Sequence, residues 1–155
     1  MELVQVAAEI KAEGKHAFIA NDFETAATKF TVALEYAQLA ASKEGKDLVT
    51  TLNLNRAIAN IKGGNNQEGI DAATSVLNTE GAPSHAKAYY WRATGYYNLK
   101  NHKQCLADCA ASLKIRPKKN RATRQLYKIS SAAQKKNNSA KSNIKSAFSG
   151  ALGTV

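Results

Sequence analysis

Residues 11–34 read KAEGKHAFIANDFETAATKFTVAL. Two amphipathic helices are written there back to back, joined by a turn at Asn21-Asp22. Gly14 lies inside the first, where the missing side chain lets another helix approach closely, and Phe18 follows one turn later. In the second helix Ala26, Phe30 and Ala33 fall on one stripe, at spacings of four and three. A helical hairpin this short leaves its apolar face open to water, so the pattern is expected to recur along the chain.

It does recur. Gly14, Ala57 and Ala93 take the same place in a first helix; Ala26, Gly69 and Cys105 follow twelve residues later in all three cases. Phe30, Ala73 and Cys109 come four residues after those, and Ala33, Val76 and Ser112 three after that. The period is uneven, 43 residues from Gly14 to Ala57 and 36 from Ala57 to Ala93. The excess falls at Tyr36–Lys46 and Thr79–Ser84, where it lengthens a helix end or a connector and leaves the stack intact.

Taken in order, the chain predicts helices over Leu3–Ile19 and from Phe23 to about Ala41, then a polar loop at Lys43–Lys46 (KEGK). A third helix is expected from Asp47, with Leu48, Leu52, Ile58 and Ile61 on its buried side, stopped by Gly63-Gly64-Asn65-Asn66. The fourth spans Gln67–Asn78, and a connector with Gly81 and Pro83 follows. The fifth, His85–Leu99, is rich in aromatic residues. The sixth, His102–Ile115, is ended by Pro117. A seventh, Asn120–Lys136, carries Ala122, Leu126, Ile129 and Ala133 on one stripe and is expected to cover the open face of the last hairpin. From Asn137 the composition turns to Ser, Asn, Lys, Gly and Ala. Little fixed structure is expected there, apart from a short amphipathic turn around Ile144, Phe148 and Leu152 that could order on a partner.

Composition narrows the class. The 155 residues are 44% hydrophobic and 22% charged, with two prolines, which fits one globular all-α domain. No apolar run reaches the roughly 20 residues of a membrane span. The first fifteen residues hold acidic side chains and no basic leader, so no secretory signal is expected. The net charge of +10 is unevenly placed: Lys114–Val155 holds eleven basic residues and no acidic one, while Met1–Leu113 holds eleven basic and twelve acidic. Cys105 and Cys109 read as small buried residues. His16, His85 and His102 are scattered over different helices and read as surface residues. No nucleophile motif, phosphate loop or metal cluster stands out, and neither an enzyme nor a cofactor is expected.

The stretches IKAEGKHAF, LNLNRA, KAYYWRA and LADCAASLKIRP together resemble the tetratricopeptide repeat family. More narrowly, they are similar to the three-repeat domains of Hsp70 and Hsp90 co-chaperones and large immunophilins. The resemblance implies an α-solenoid of three helix-turn-helix repeats and a capping helix over residues 3–136. The repeats would lie at about 7–41, 48–79 and 85–117 and the cap at about 119–136, leaving a flexible basic tail at 137–155. It implies a non-catalytic, cytoplasmic adaptor that grips the acidic C-terminal peptide of a chaperone of the Hsp90 or Hsp70 type.

In that family a clamp of Lys, Asn, Asn, Lys and Arg holds the two terminal carboxylates. Lys11 matches the first lysine, Asn55 the second asparagine and Lys87 the second lysine. Lys15 stands in place of the first asparagine, and Trp91 in place of the arginine. Lys11, Lys15 and Lys87 would still favour carboxylates in the groove, with Asn55 as a neutral donor. Trp91 could stack on an apolar side chain of the peptide. The alternative is that these lysines form a solvated face. Arg92, Phe18, Tyr89, Tyr96 and Tyr97 read as packing residues. Two other functions stay open: a scaffold for another protein segment through Trp91 and its tyrosines, and a nucleic-acid or anionic-lipid surface along Lys114–Lys145.

Overall fold

The computed structural model describes residues 2–81 and 85–153; the expected connector residues Pro83 and Ser84 lie outside them. Among the described residues there are seven helices and no strand: α1 Glu2–Ile19, α2 Phe23–Leu39, α3 Lys43–Lys62, α4 Asn66–Leu77, α5 His85–Asn98, α6 His102–Ile115 and α7 Arg121–Leu152. Each packs on the next, so α1–α2, α3–α4 and α5–α6 are three nested hairpins and α7 closes the last. Weaker contacts of α1 with α3 and of α3 with α5 set the first helices of the hairpins side by side. The architecture is an all-α solenoid of three repeats and a capping helix.

The repeat register is the core. All twelve equivalent positions, from Gly14, Ala57 and Ala93 to Ala33, Val76 and Ser112, are buried. Small side chains let the helices touch at these points. A methyl group at Gly14 would sit 2.7 Å from the Phe30 ring. Around this register Leu34, Leu52 and Ile10 fill the first hairpin and its junction with α3, while Leu54, Val76 and Ala88 join the second and third hairpins.

Helix ends are set by local chemistry. The Asp22 carboxylate accepts the Thr25 backbone N–H at 3.1 Å and caps α2; hydrogen bonding to the Thr25 side chain, and then to its backbone, holds the Asp22 pKa below the usual carboxylate value. Asn21 and Lys100, both at positive φ, turn the first and third hairpins.

Four expectations are corrected. Lys43–Lys46 is the first turn of α3, not a loop: Ser42 Oγ accepts the Gly45 N–H at 3.1 Å, and Gly45 is buried because α2 crosses there. Helix α7 continues from Lys136 to Leu152, where little fixed structure was expected, since no proline and only Gly150 interrupt it. Its buried stripe is Thr123, Leu126 and Ser130, turned away from Ala122 and Ile129, which are exposed. His102 is buried rather than on the surface; its Nδ1 lies 3.2 Å from Ser130 Oγ, and its ring meets Tyr97 edge-on. That pairing explains why a hydroxyl residue occupies the capping stripe.

Candidate functional site

The first helices of the hairpins present their outer strips to one groove of about 410 Å³. Helix α1 supplies Lys15, Phe18 and Ile19; α3 supplies Asn55, Ile58 and Lys62; α5 supplies Lys87 and Trp91; Phe30 of α2 reaches in from behind. The spacings of three, four and seven place each set on one helix face. Four of the five predicted peptide-binding residues, Lys15, Asn55, Lys87 and Trp91, therefore meet on one surface. Lys11 is not among the groove-lining residues. It sits one turn earlier on α1, partly buried, and its pKa is lowered by that burial and then by the charge of Lys15.

Lys62 was not foreseen. It is the last residue of α3, beside the glycines that were read only as a stop. Its place two turns after Asn55 was the available signal. Its ammonium stands 5.9 Å from the Phe18 ring centroid, 5.8 Å from that of Phe23 and 6.0 Å from that of Trp91. Three rings around one cation hold it electrostatically while leaving it open to an anion. Phe18 meets Phe23 edge-on at 5.3 Å and packs on the first core, so it serves both the core and the groove wall.

The groove lining contains three lysines and no carboxylate. Among the described residues the ion pairs are Lys29–Glu13 and Arg92–Asp108, and neither uses a groove lysine. The groove thus concentrates positive charge over an apolar floor of Phe18, Ile58 and Trp91, which suits a ligand bearing carboxylates beside an apolar side chain.

The other residues weighed in the sequence fall elsewhere. Arg92 points away from the groove and forks onto Asp108, as a packing residue. Tyr96 and Tyr97 pack against Ala93, Cys105 and Cys109, and Tyr89 lies beside the Arg92 guanidinium. Cys105 and Cys109 are fully buried. A hydrogen bond from Cys109 lowers the Cys105 thiol to about 7, while that bond and burial push Cys109 up. Among the described residues no cluster of three or more His, Cys, Asp or Glu could hold a metal ion, and no helix is long and apolar enough to cross a membrane.

No protein-family profile matches the chain. Solved structures do match it. The OM64 TPR domain of Arabidopsis superposes with a TM-score of 0.69 at 21% identity, covering 83% of this chain and 96% of that one. The first TPR domain of human RPAP3 gives 0.69 at 22% identity, covering 88% and 98%. The C. elegans myosin chaperone UNC-45, in a structure with an Hsp90 peptide, gives 0.72 at 26% identity; the match covers 83% of this chain and 14% of UNC-45.

Proposed function

We propose that this chain, a tetratricopeptide repeat domain that resembles co-chaperone TPR modules, is a protein–protein interaction adaptor whose lysine-lined groove captures the acidic C-terminal peptide of another protein. The observation that carries this reading is the convergence of Lys15, Lys62 and Lys87 with Asn55 on one groove that has no carboxylate of its own. Chaperone tails of the Hsp90 or Hsp70 type are the ligand class in view, and the likeness to UNC-45, whose structure holds an Hsp90 peptide, supports it.

The clamp would work with altered parts. Trp91 occupies the place of the family's arginine and removes a planar fork for one carboxylate. Lys62, from the neighbouring helix and within 6.0 Å of the same Trp91 ring, supplies a cation there instead. An ammonium is a point charge without the fork's directionality, so the groove should tolerate more variation in the tail than an arginine clamp does. Trp91, Phe18 and Ile58 would take the apolar side chain next to the terminal carboxylate.

The test is fluorescence anisotropy with a labelled peptide ending in EEVD, in free-acid and amidated forms. The free acid should bind and the amide should bind about tenfold more weakly, the effect of losing about 1.4 kcal/mol. Lys87→Ala, Lys15→Ala and Lys62→Ala should each weaken the free acid by a similar factor, and Lys11→Ala by less. Equal affinity for the two peptide forms would exclude carboxylate capture and leave the reading of a scaffold for internal segments.

A further inference from the structure

The last turns of α7 form a second surface, remote in chemistry from the groove. Every residue from Lys135 to Gly153 is exposed, over about 27 Å of helix at about 1.5 Å per residue. On it Ile144, Phe148 and Leu152, four residues apart, share one face and are 65%, 70% and 72% exposed. Ala147 joins them in lining a shallow patch of about 330 Å³. At 100° per residue, Lys145 borders this face on one side and Lys136 on the other, while Lys141 lies in line with it, one turn before Ile144. The opposite face carries Ser139, Ser142, Ser146 and Ser149, and its one charge is Lys135 at the start of the segment.

We infer that this segment is an interfacial amphipathic helix that docks the chain on an anionic lipid surface. Charge complementarity selects the occupant. Helix α7 carries seven basic residues and no acidic one. A second copy laid against the patch would bring two cationic helices together, which opposes pairing. A nucleic acid would engage the lysines yet leave Ile144, Phe148 and Leu152 in water. A lipid surface uses both: the apolar side chains enter the acyl boundary, and the boundary lysines lay their alkyl stems along it with their ammonium groups at the phosphates. The serine face then remains in water. The proposal is independent of the peptide groove, which lies on α1, α3 and α5.

The experiment is co-sedimentation of the full chain with vesicles of phosphatidylcholine alone and of phosphatidylcholine with phosphatidylserine. The parent should pellet with the phosphatidylserine vesicles, and salt should release it. Phe148→Gln keeps a good helix former and removes apolar area; Lys141→Glu with Lys145→Glu reverses the charge beside the apolar residues. Each should weaken vesicle binding by about tenfold or more. Unchanged thermal melting would show that the solenoid is intact, as the exposure of these positions requires. Equal binding to both vesicle types, or a Phe148→Gln protein that binds like the parent, would overturn the proposal. So would RNA retention without vesicle binding, or a dimer that Phe148→Gln dissolves.

Discussion

Arg92 ties three helices at once. Its Nε and Nη2 donate to the two Asp108 carboxylate oxygens at 2.7 and 2.8 Å, and Nη1 donates to Thr74 Oγ1 at 3.1 Å. The guanidinium stands 5.6 Å from the Tyr89 ring and 5.9 Å from that of Tyr96. The Asp108 hydrogen bonds raise its pKa above even the ordinary arginine value against the opposing effect of burial. Because Asp108 is 5% exposed, removing its partner strands a buried carboxylate. Arg92→Ala is expected to cost about 3 kcal/mol in denaturant unfolding. Arg92→Lys keeps the charge and loses the fork, so it should cost nearly as much; a lysine variant as stable as the parent would show that charge alone suffices. Arg92 was legible as a packing residue because it is neither at a clamp position nor one helical turn from one. Lys62 was not, because a lysine at a helix end beside glycines has an ordinary local explanation. Only the stacking of α1 on α3 and of α3 on α5 brings it to the groove.

At the scale of the helix pair, glycines carried the most misleading signal. Gly45 in KEGK reads as a loop residue, but a methyl group on it would fall 2.7 Å from the Ala37 carbonyl oxygen. It is therefore a point of close crossing between α2 and α3. Sequence spacing exposed the repeat positions because burial fixes small residues at constant intervals. It could not separate a crossing glycine from a turn glycine where no repeat partner exists for comparison. Helix α7 was cut short for a related reason: Asn, Ser and Lys favour solution over packing, yet nothing among them breaks a helix once it has started. Gly69 tests the crossing argument directly. A methyl group there would lie 2.4 Å from Ile61 Cγ1 and 3.0 Å from the Ala57 carbonyl oxygen, and the carbonyl cannot give. Overpacking of about 2 kcal/mol outweighs the roughly 1 kcal/mol that alanine adds to helix propensity. Gly69→Ala should thus lower stability by about 1 kcal/mol in urea; a stabilised variant would mean that α3 and α4 have room between them.

Across the whole molecule, stability is a chain of neighbour contacts with α7 at its end. Leu126 of α7 packs on Ala93, Cys105 and Cys109, and Ser130 meets His102, so the first turns of this helix seal the third hairpin. From Lys135 to Gly153 its residues are exposed. Two truncations separate these roles. A chain ending at Lys136 keeps Thr123, Leu126 and Ser130 and should melt within about 1–2 °C of the parent, because no buried area is lost. A chain ending at Pro117 strips the cover from Cys105 and Cys109, both fully buried in the intact protein. Nearest-neighbour coupling then predicts that α5 and α6 open while α1–α4 keep their amide protection, as hydrogen exchange would record. Thiol labelling gives the sharpest reading, since the two cysteines sit at repeat register positions between α5 and the seal. They should be inert to a thiol reagent in the parent and in the chain ending at Lys136, and should react within minutes in the chain ending at Pro117. Thiols that stay inert after α7 is removed would place the cap elsewhere, and the third hairpin would then be stable by itself.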